Sequence, residues 1–187
     1  MSISIVKQGC AYNLGAAIAA ALALTQAPAA QAADLLFCTG NEVAHYAPGL
    51  TFAAQPTTLN ATSDFTACPV TAQGVTSAKI QWAGSGNLSC LGGPSAGSAT
   101  ITWNNNPVDT STFAYTTPVA TRPAGQTVIV LTATINSGRF NGATMTQTLA
   151  LATPIDQLLN LQNGLLGCLV GGIETLQGPV TMQVIAP

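Results

Sequence analysis

The stretch SAKIQWAG, residues 77–84, alternates without a break: Ala78, Ile80 and Trp82 fall on one side, and Ser77, Lys79 and Gln81 on the other. Successive side chains of an extended backbone point to opposite faces, so a period of two marks a strand with one dry face and one wet face. The same alternation recurs in SATITWN (98–104), which sets Ala99, Ile101 and Trp103 against Ser98, Thr100 and Thr102. In QTVIVLTATIN (126–136) it sets Ile129, Leu131, Ala133 and Ile135 opposite Val128, Val130, Thr132 and Thr134. GATMTQTLAL (142–151) is a further β-branched run, and GPVTMQVI (178–185) places Val180, Met182 and Val184 on one side. Turn signals separate these runs: Pro48-Gly49, Gly92-Gly93-Pro94, Asn104 to Pro107, Pro123 to Gly125, and Ser137-Gly138. Short strands at this spacing predict an all-β fold, an antiparallel sandwich.

One segment departs from the period. In TPIDQLLNLQNG (153–164), Thr153 suits an N-cap, Pro154 the first helical position, and Asp156 the first turn, where a carboxylate meets the positive end of the helix dipole. Ile155, Leu158, Leu159 and Gln162 share a face, and Gly164 can end the helix. The pattern predicts one short helix over 154–163, packed on one end of the sandwich.

The chain opens with Lys7 and an apolar run of 11 residues, Leu14 to Leu24. A membrane-spanning helix needs about 20. The run is followed by Ala30-Gln31-Ala32, a small-residue cleavage pattern, so residues 1–32 read as a secretory signal peptide. An uncleaved anchor is the competing reading and fails on length. Cleavage before Ala33 would leave 187 − 32 = 155 residues, 33–187, as a single secreted domain with no membrane span. Cys38 follows Phe37 rather than a small residue, which argues against lipidation there.

Cys10 leaves with the leader, so the five cysteines become four: Cys38, Cys68, Cys90 and Cys168. An even number in an exported chain implies disulfides. Four cysteines allow three pairings, among which sequence does not choose. The expectation carried forward is Cys38–Cys68 with Cys90–Cys168.

The exported part has Lys79, Arg122 and Arg139 against Asp34, Glu42, Asp64, Asp109, Asp156 and Glu174, a net charge of 3 − 6 = −3. Nucleic acid as a partner is excluded by the lack of a basic patch, and nothing draws the chain to anionic lipid. Charged residues are 5% of the chain. The wet faces are therefore mostly hydroxyl and amide.

Motifs for chemistry are few. GPSAG, Gly93 to Gly97, matches the G-x-S-x-G pattern of a hydrolase nucleophile elbow, which needs a strand before the serine and a helix after it. Ser95 instead sits in a Gly/Pro/Ser stretch that reads as a loop leading into another strand. The one histidine, His45, precedes it, the reverse of the hydrolase order. Glu42 is the acid nearest His45, and a general base needs an oriented partner within hydrogen-bond reach. The plain alternative is a turn histidine. There is no CxxC and no second histidine for zinc, and no calcium loop of the D-x-[DN]-x-[DN]-G kind. WNNNPVD (103–109) offers oxygen ligands but also suits a turn. Sequons stand at Asn60 and Asn87. Trp82, Trp103, Phe113 and Tyr115 could make a sugar-stacking platform, but both tryptophans fall on apolar strand faces, where core packing is the simpler reading.

The landmarks CTGNEVAHYAPGLTF (38–52), Cys68, Ser89-Cys90, ITW (101–103), STFAY (111–115), TINSGRFNGATMTQTL (134–149), Cys168 and LQGPVTMQV (176–184) run through nearly the whole exported part. Together they resemble a family of small secreted proteins of high-GC Gram-positive bacteria, most specifically in the YxPGLT and SGxFxGAT elements. The resemblance implies an immunoglobulin-like sandwich with the four cysteines in this order, and it implies no catalytic residue; the residues themselves point to no metal or cofactor. Ala47 stands where the family pattern has serine, and Arg139 where it has an apolar residue. In physical terms SGRFNGAT is a bend: Gly138 and Gly142 can take positive φ, Phe140 can anchor the bend in the core, and Arg139 and Asn141 then point outward. Arg139, Phe140 and Asn141 are the candidate binding surface.

These observations lead to a secreted, non-catalytic β-sandwich that binds extracellularly or belongs to the cell surface. A carrier of a small apolar ligand, by fold-level analogy with secreted antibiotic-binding apoproteins, is the second expectation. A hydrolase using His45 or Ser95 is the third.

Overall fold

Period-two alternation becomes nine strands in a computed structural model that describes residues 35–70, 73–117, 127–152, 164–169 and 171–185. The strands all belong to one compact unit, Ala33–Pro187. They are β1 (Leu35–Leu50), β2 (Gln55–Val70), β3 (Ala78–Leu88), β4 (Ser95–Trp103), β5 (Thr110–Thr117), β6 (Thr127–Thr134), β7 (Ser137–Gly138), β8 (Thr144–Leu151) and β9 (Ile173–Ile185).

All pairings are antiparallel, and the order is β6-β8-β9-β1-β2-β3-β4-β5-β7. The all-β antiparallel expectation holds. Hydrogen bonding runs through one continuous sheet, a meander from β1 to β5 extended through β9, β8 and β6 beside β1 and through β7 beside β5, which curls until β5 and β6 face each other across a groove lined by Tyr115, Thr116, Thr132 and Ala133. The interior is therefore enclosed in a sandwich-like way without two separately bonded sheets. Helix α1 (Gly164–Leu169) is the helix among the described residues. The one expected over 154–163 lies outside them, and Gly164, expected to end a helix, is the first described residue of α1.

The inward sets are those that alternation selects. Ala78, Ile80 and Trp82, Ala99, Ile101 and Trp103, Leu131, Ala133 and Ile135, and Val180, Met182 and Val184 are all buried, with Ile129 packed against them at the margin. Trp82 meets Phe113 and Tyr115 edge-on, each at 5.2 Å between ring centres. The four aromatic residues that could have formed a sugar platform are core. Outward positions carry threonine, serine and glutamine, with one surface ion pair, Lys79 to Asp64 at 3.0 Å, on this face.

Both disulfides are those expected, Cys38–Cys68 and Cys90–Cys168. The first depends on an irregularity. In β2 the residues of odd number from Thr57 to Phe65 face inward, so Cys68 would face outward if the alternation continued. The register slips between Gly40↔Phe65 and Thr39↔Ala67, leaving Thr66 as an extra residue opposite β1. That bulge inverts the parity and turns Cys68 toward Cys38, 4.1 Å away between Cα atoms. Two turn expectations also change. Pro48-Gly49 lies within the end of β1, where the register with β9 breaks between His45 and Leu50. Ser95 opens β4, paired with Gly86 and Thr117, rather than lying in a loop.

Candidate functional site: a buried carboxyl inside the sheet

Five strands send polar side chains into the apolar interior. On β1, Glu42 occupies the same inward parity as Leu36, Cys38, Ala44 and Tyr46, and it is only 5% exposed. Ser63 comes from β2, Trp82 from β3, Tyr115 from β5 and Gln147 from β8. Ser63 Oγ donates to Glu42 Oε2 at 2.5 Å, and Gln147 Nε2 donates to the same oxygen at 3.0 Å. Trp82 Nε1 donates to Ser63 Oγ at 2.8 Å, and Gln147 Nε2 also reaches that hydroxyl at 3.2 Å. Ser63 thus spends its one proton on the carboxyl and both lone pairs on donors. Since β2 and β8 are separated in the sheet by β9 and β1, the contact between Ser63 and Gln147 crosses the interior.

The described hydrogen bonds to the carboxyl both fall on Oε2. No cation balances it among the described residues, because Lys79 is paired with Asp64 and Arg139 with Asp109. Removal from water disfavours the charged form, so burial pushes the Glu42 carboxyl up to about 7, against the opposing pull of Ser63 and Gln147. Burial also raises the Tyr115 phenol, and the nearby Glu42 charge raises it further.

Beside this network is a cavity of about 40 Å³ lined by Glu42, Trp82, Tyr115 and the apolar side chains of Leu59, Ile129, Leu131 and Leu149. The Tyr115 hydroxyl is buried and has no hydrogen-bond partner among the described residues, and neither has Gln147 Oε1. A buried polar atom left unpaired costs about 1–3 kcal/mol. Gly84 leaves room for the Tyr115 hydroxyl: a Cβ there would collide with it and lie 2.8 Å from the Ala96 carbonyl oxygen.

The residues singled out in the sequence lie elsewhere. His45 points outward from β1, with Nδ1 3.1 Å from Thr175 Oγ1. Ser95 borders the cavity, but its Oγ is 2.5 Å from Thr117 Oγ1. The two share no hydrogen bond, and β4 rather than a helix follows the serine. Asn104 folds back, its Oδ1 accepting the Thr76 and Ser77 amides at 2.8 and 3.3 Å, so WNNNPVD is a turn. No cluster of His, Cys, Asp and Glu among the described residues could hold a metal.

Of the candidate surface, Phe140 anchors the bend as expected, edge-on to Trp103 at 5.1 Å, with Gly138 and Gly142 at φ 79° and 86°. Phe140 itself also has positive φ, 60°, which for a side chain of this size is tolerated only because its ring is held. Arg139 is engaged: Nη1 donates to Asp109 Oδ2 at 2.7 Å, Nη2 donates to the Gln73 carbonyl, and the guanidinium lies 5.6 Å from the centre of the Phe140 ring. Asn141 is exposed.

Sequence reasoning passed over Glu42, Gln147 and Tyr115 as a group. The signal was present: Glu42 and Gln147 hold inward parity between apolar neighbours, Gln147 between Met145 and Leu149. No protein-family model, curated protein or solved structure matches this chain.

Proposed function

We propose that this chain is a secreted, non-catalytic β domain that acts through its outer face, in extracellular binding or as a component of the cell surface. The observation that carries the reading is the division of the molecule. The chemistry-bearing groups are turned inward or tied to structural partners, and the outer face is a nearly uncharged hydroxyl and amide surface. The two disulfides fit an oxidising compartment, as does the leader pattern of residues 1–32. No helix among the described residues is long and apolar enough to cross a membrane. The resemblance to secreted proteins of high-GC Gram-positive bacteria belongs to the same proposal.

A second reading, the carrier of a small ligand with apolar character, is favoured by one observation, the apolar-lined cavity with an unpartnered hydroxyl. At about 40 Å³ it takes only a few non-hydrogen atoms. The two readings separate in one experiment: native intact mass of the protein recovered from the medium and from the surface of the producing cells. The first reading expects residues 33–187 less four hydrogens in both fractions and no added mass. A discrete added mass, lost on denaturation, puts the carrier first. A chain kept inside the cell with reduced cysteines overturns both.

A further inference from the structure

Glu42 and Tyr115 present complementary needs to one small space. The carboxyl is buried, Oε2 already takes both described donors, and no cation among the described residues compensates it. Tyr115, 4% exposed as a residue, lines the same cavity, and its buried hydroxyl has no partner among the described residues. Between this polar floor and the sheet margin stand Leu59, Ile129, Leu131 and Leu149, with Leu59 and Ile129 only partly buried, which makes the approach narrow and apolar. A group entering here must be slender and aliphatic along its length and must carry at its tip donors for Glu42 Oε1 and the phenolic oxygen. An ammonium has three donors and the positive charge that a buried carboxylate lacks. A carboxylate tip would add a second negative charge, and an alcohol tip would leave the charge uncompensated.

We propose that this cavity is a binding site for a small aliphatic primary amine, its ammonium held between Glu42 and Tyr115 and its carbon chain between Leu59, Ile129, Leu131 and Leu149. The proposal rests on the carrier reading and specifies its ligand. At about 10–15 Å³ for each water-sized occupant, the cavity of about 40 Å³ takes three or four non-hydrogen atoms, the size of n-propylamine. A ligand of about four non-hydrogen atoms that falls short of the best efficiency known for very small molecules binds with a Kd of about 1 mM.

The test uses the disulfide-intact protein and four probes: n-propylammonium, n-propanol, propionate and tetramethylammonium, titrated while Trp82 fluorescence and aromatic proton resonances are followed. Tyr115 is the titratable group facing Glu42 from the strands packed on it among the described residues. Binding of propylammonium should therefore strengthen about thirtyfold from pH 5.5 to pH 8.5, as the carboxyl passes from about 3% to about 97% ionised, and that of propanol should not. Glu42→Gln should remove the preference for the amine over the alcohol at pH 8.5, and Tyr115→Phe should weaken the amine at least threefold. The wild-type pH profile and probe ranking do not depend on either variant folding. Saturable propanol binding with no preference for the amine overturns the ligand assignment and leaves the carrier reading standing. No saturable binding by any probe overturns both. Equal binding of tetramethylammonium, too bulky for the slot, assigns the effect to surface charge and overturns the site.

Discussion

Replacing Glu42 by glutamine tests the buried network directly, because it removes the charge and keeps the shape. Burial lifts this carboxyl from its ordinary 4.5 to about 7 in the folded protein. Between those values the folded protein holds a proton that the unfolded chain has released, so stability falls as pH rises through the interval. Below 4.5 both states are protonated and the penalty is absent; above about 7 both are ionised and the penalty is complete. That interval, at about 1.4 kcal/mol per pH unit, comes to about 3 kcal/mol. Glu42→Gln lacks the slope. The variant should be close to the parent in stability at pH 4, or slightly below it, and more stable by about 2–3 kcal/mol at pH 8. The assay is urea unfolding from pH 4 to pH 8.5 with disulfides intact, read by tryptophan fluorescence. Subtracting the two profiles cancels every other titrating group. A difference that stays constant within about 0.5 kcal/mol across that range would refute the reasoning, since it would mean that the folded state compensates the carboxylate as well as water does.

Ser63→Ala removes the hydroxyl that joins Glu42, Trp82 and Gln147, and should cost about 2–4 kcal/mol in urea unfolding because it leaves buried donors unpaired. Gly84→Ala should cost about 1–3 kcal/mol through its clash with the Tyr115 hydroxyl. Adding Tyr115→Phe should recover part of that loss in a double-mutant cycle, and the Ala96 carbonyl should prevent full recovery. Loss of Cys90–Cys168, which closes 78 residues, should destabilise more than loss of Cys38–Cys68, which closes 30. The chain-entropy model gives about 4.5 against about 3.6 kcal/mol, measured on paired Cys→Ala variants. Arg139→Ala should lower stability by about 1 kcal/mol, since its partly buried pair with Asp109 ties the 137–142 bend to the β4–β5 turn; an unchanged melting temperature would return Arg139 to the free surface.

The network has a consequence for how such a domain is maintained. A buried ion without a counter-ion is costly, and glutamine would keep the packing and an acceptor for Ser63 and Gln147 without the charge. Glu42 sits where its charge is costly, next to a hydroxyl that no described residue satisfies and a glycine that leaves space for that hydroxyl. Structural roles alone do not account for all three in one place, which is the physical reason for reading the cavity as a site.

The sequence by itself determined the strands and their buried faces. Alternation is a local property: whatever the partners, Ala78, Ile80 and Trp82 share one side of an extended chain, as do Val180, Met182 and Val184, and burial follows from their apolar character. It also determined the bend at 137–142, because Gly138 and Gly142 supply positive φ wherever the bend is placed. Tertiary structure decided everything that depends on which strands lie side by side. The single curled sheet follows from β9 pairing β1, segments at opposite ends of the domain, and from β8 joining β6 to β9, pairings that alternation does not specify. The extra residue Thr66, which turns Cys68 inward, exists only as a mismatch between two paired strands. Glu42, Ser63, Trp82, Tyr115 and Gln147 are dispersed over more than half the chain, and only curling the sheet brings their tips to one point. Parity says that each side chain points inward; closure of the sheet decides what it meets there.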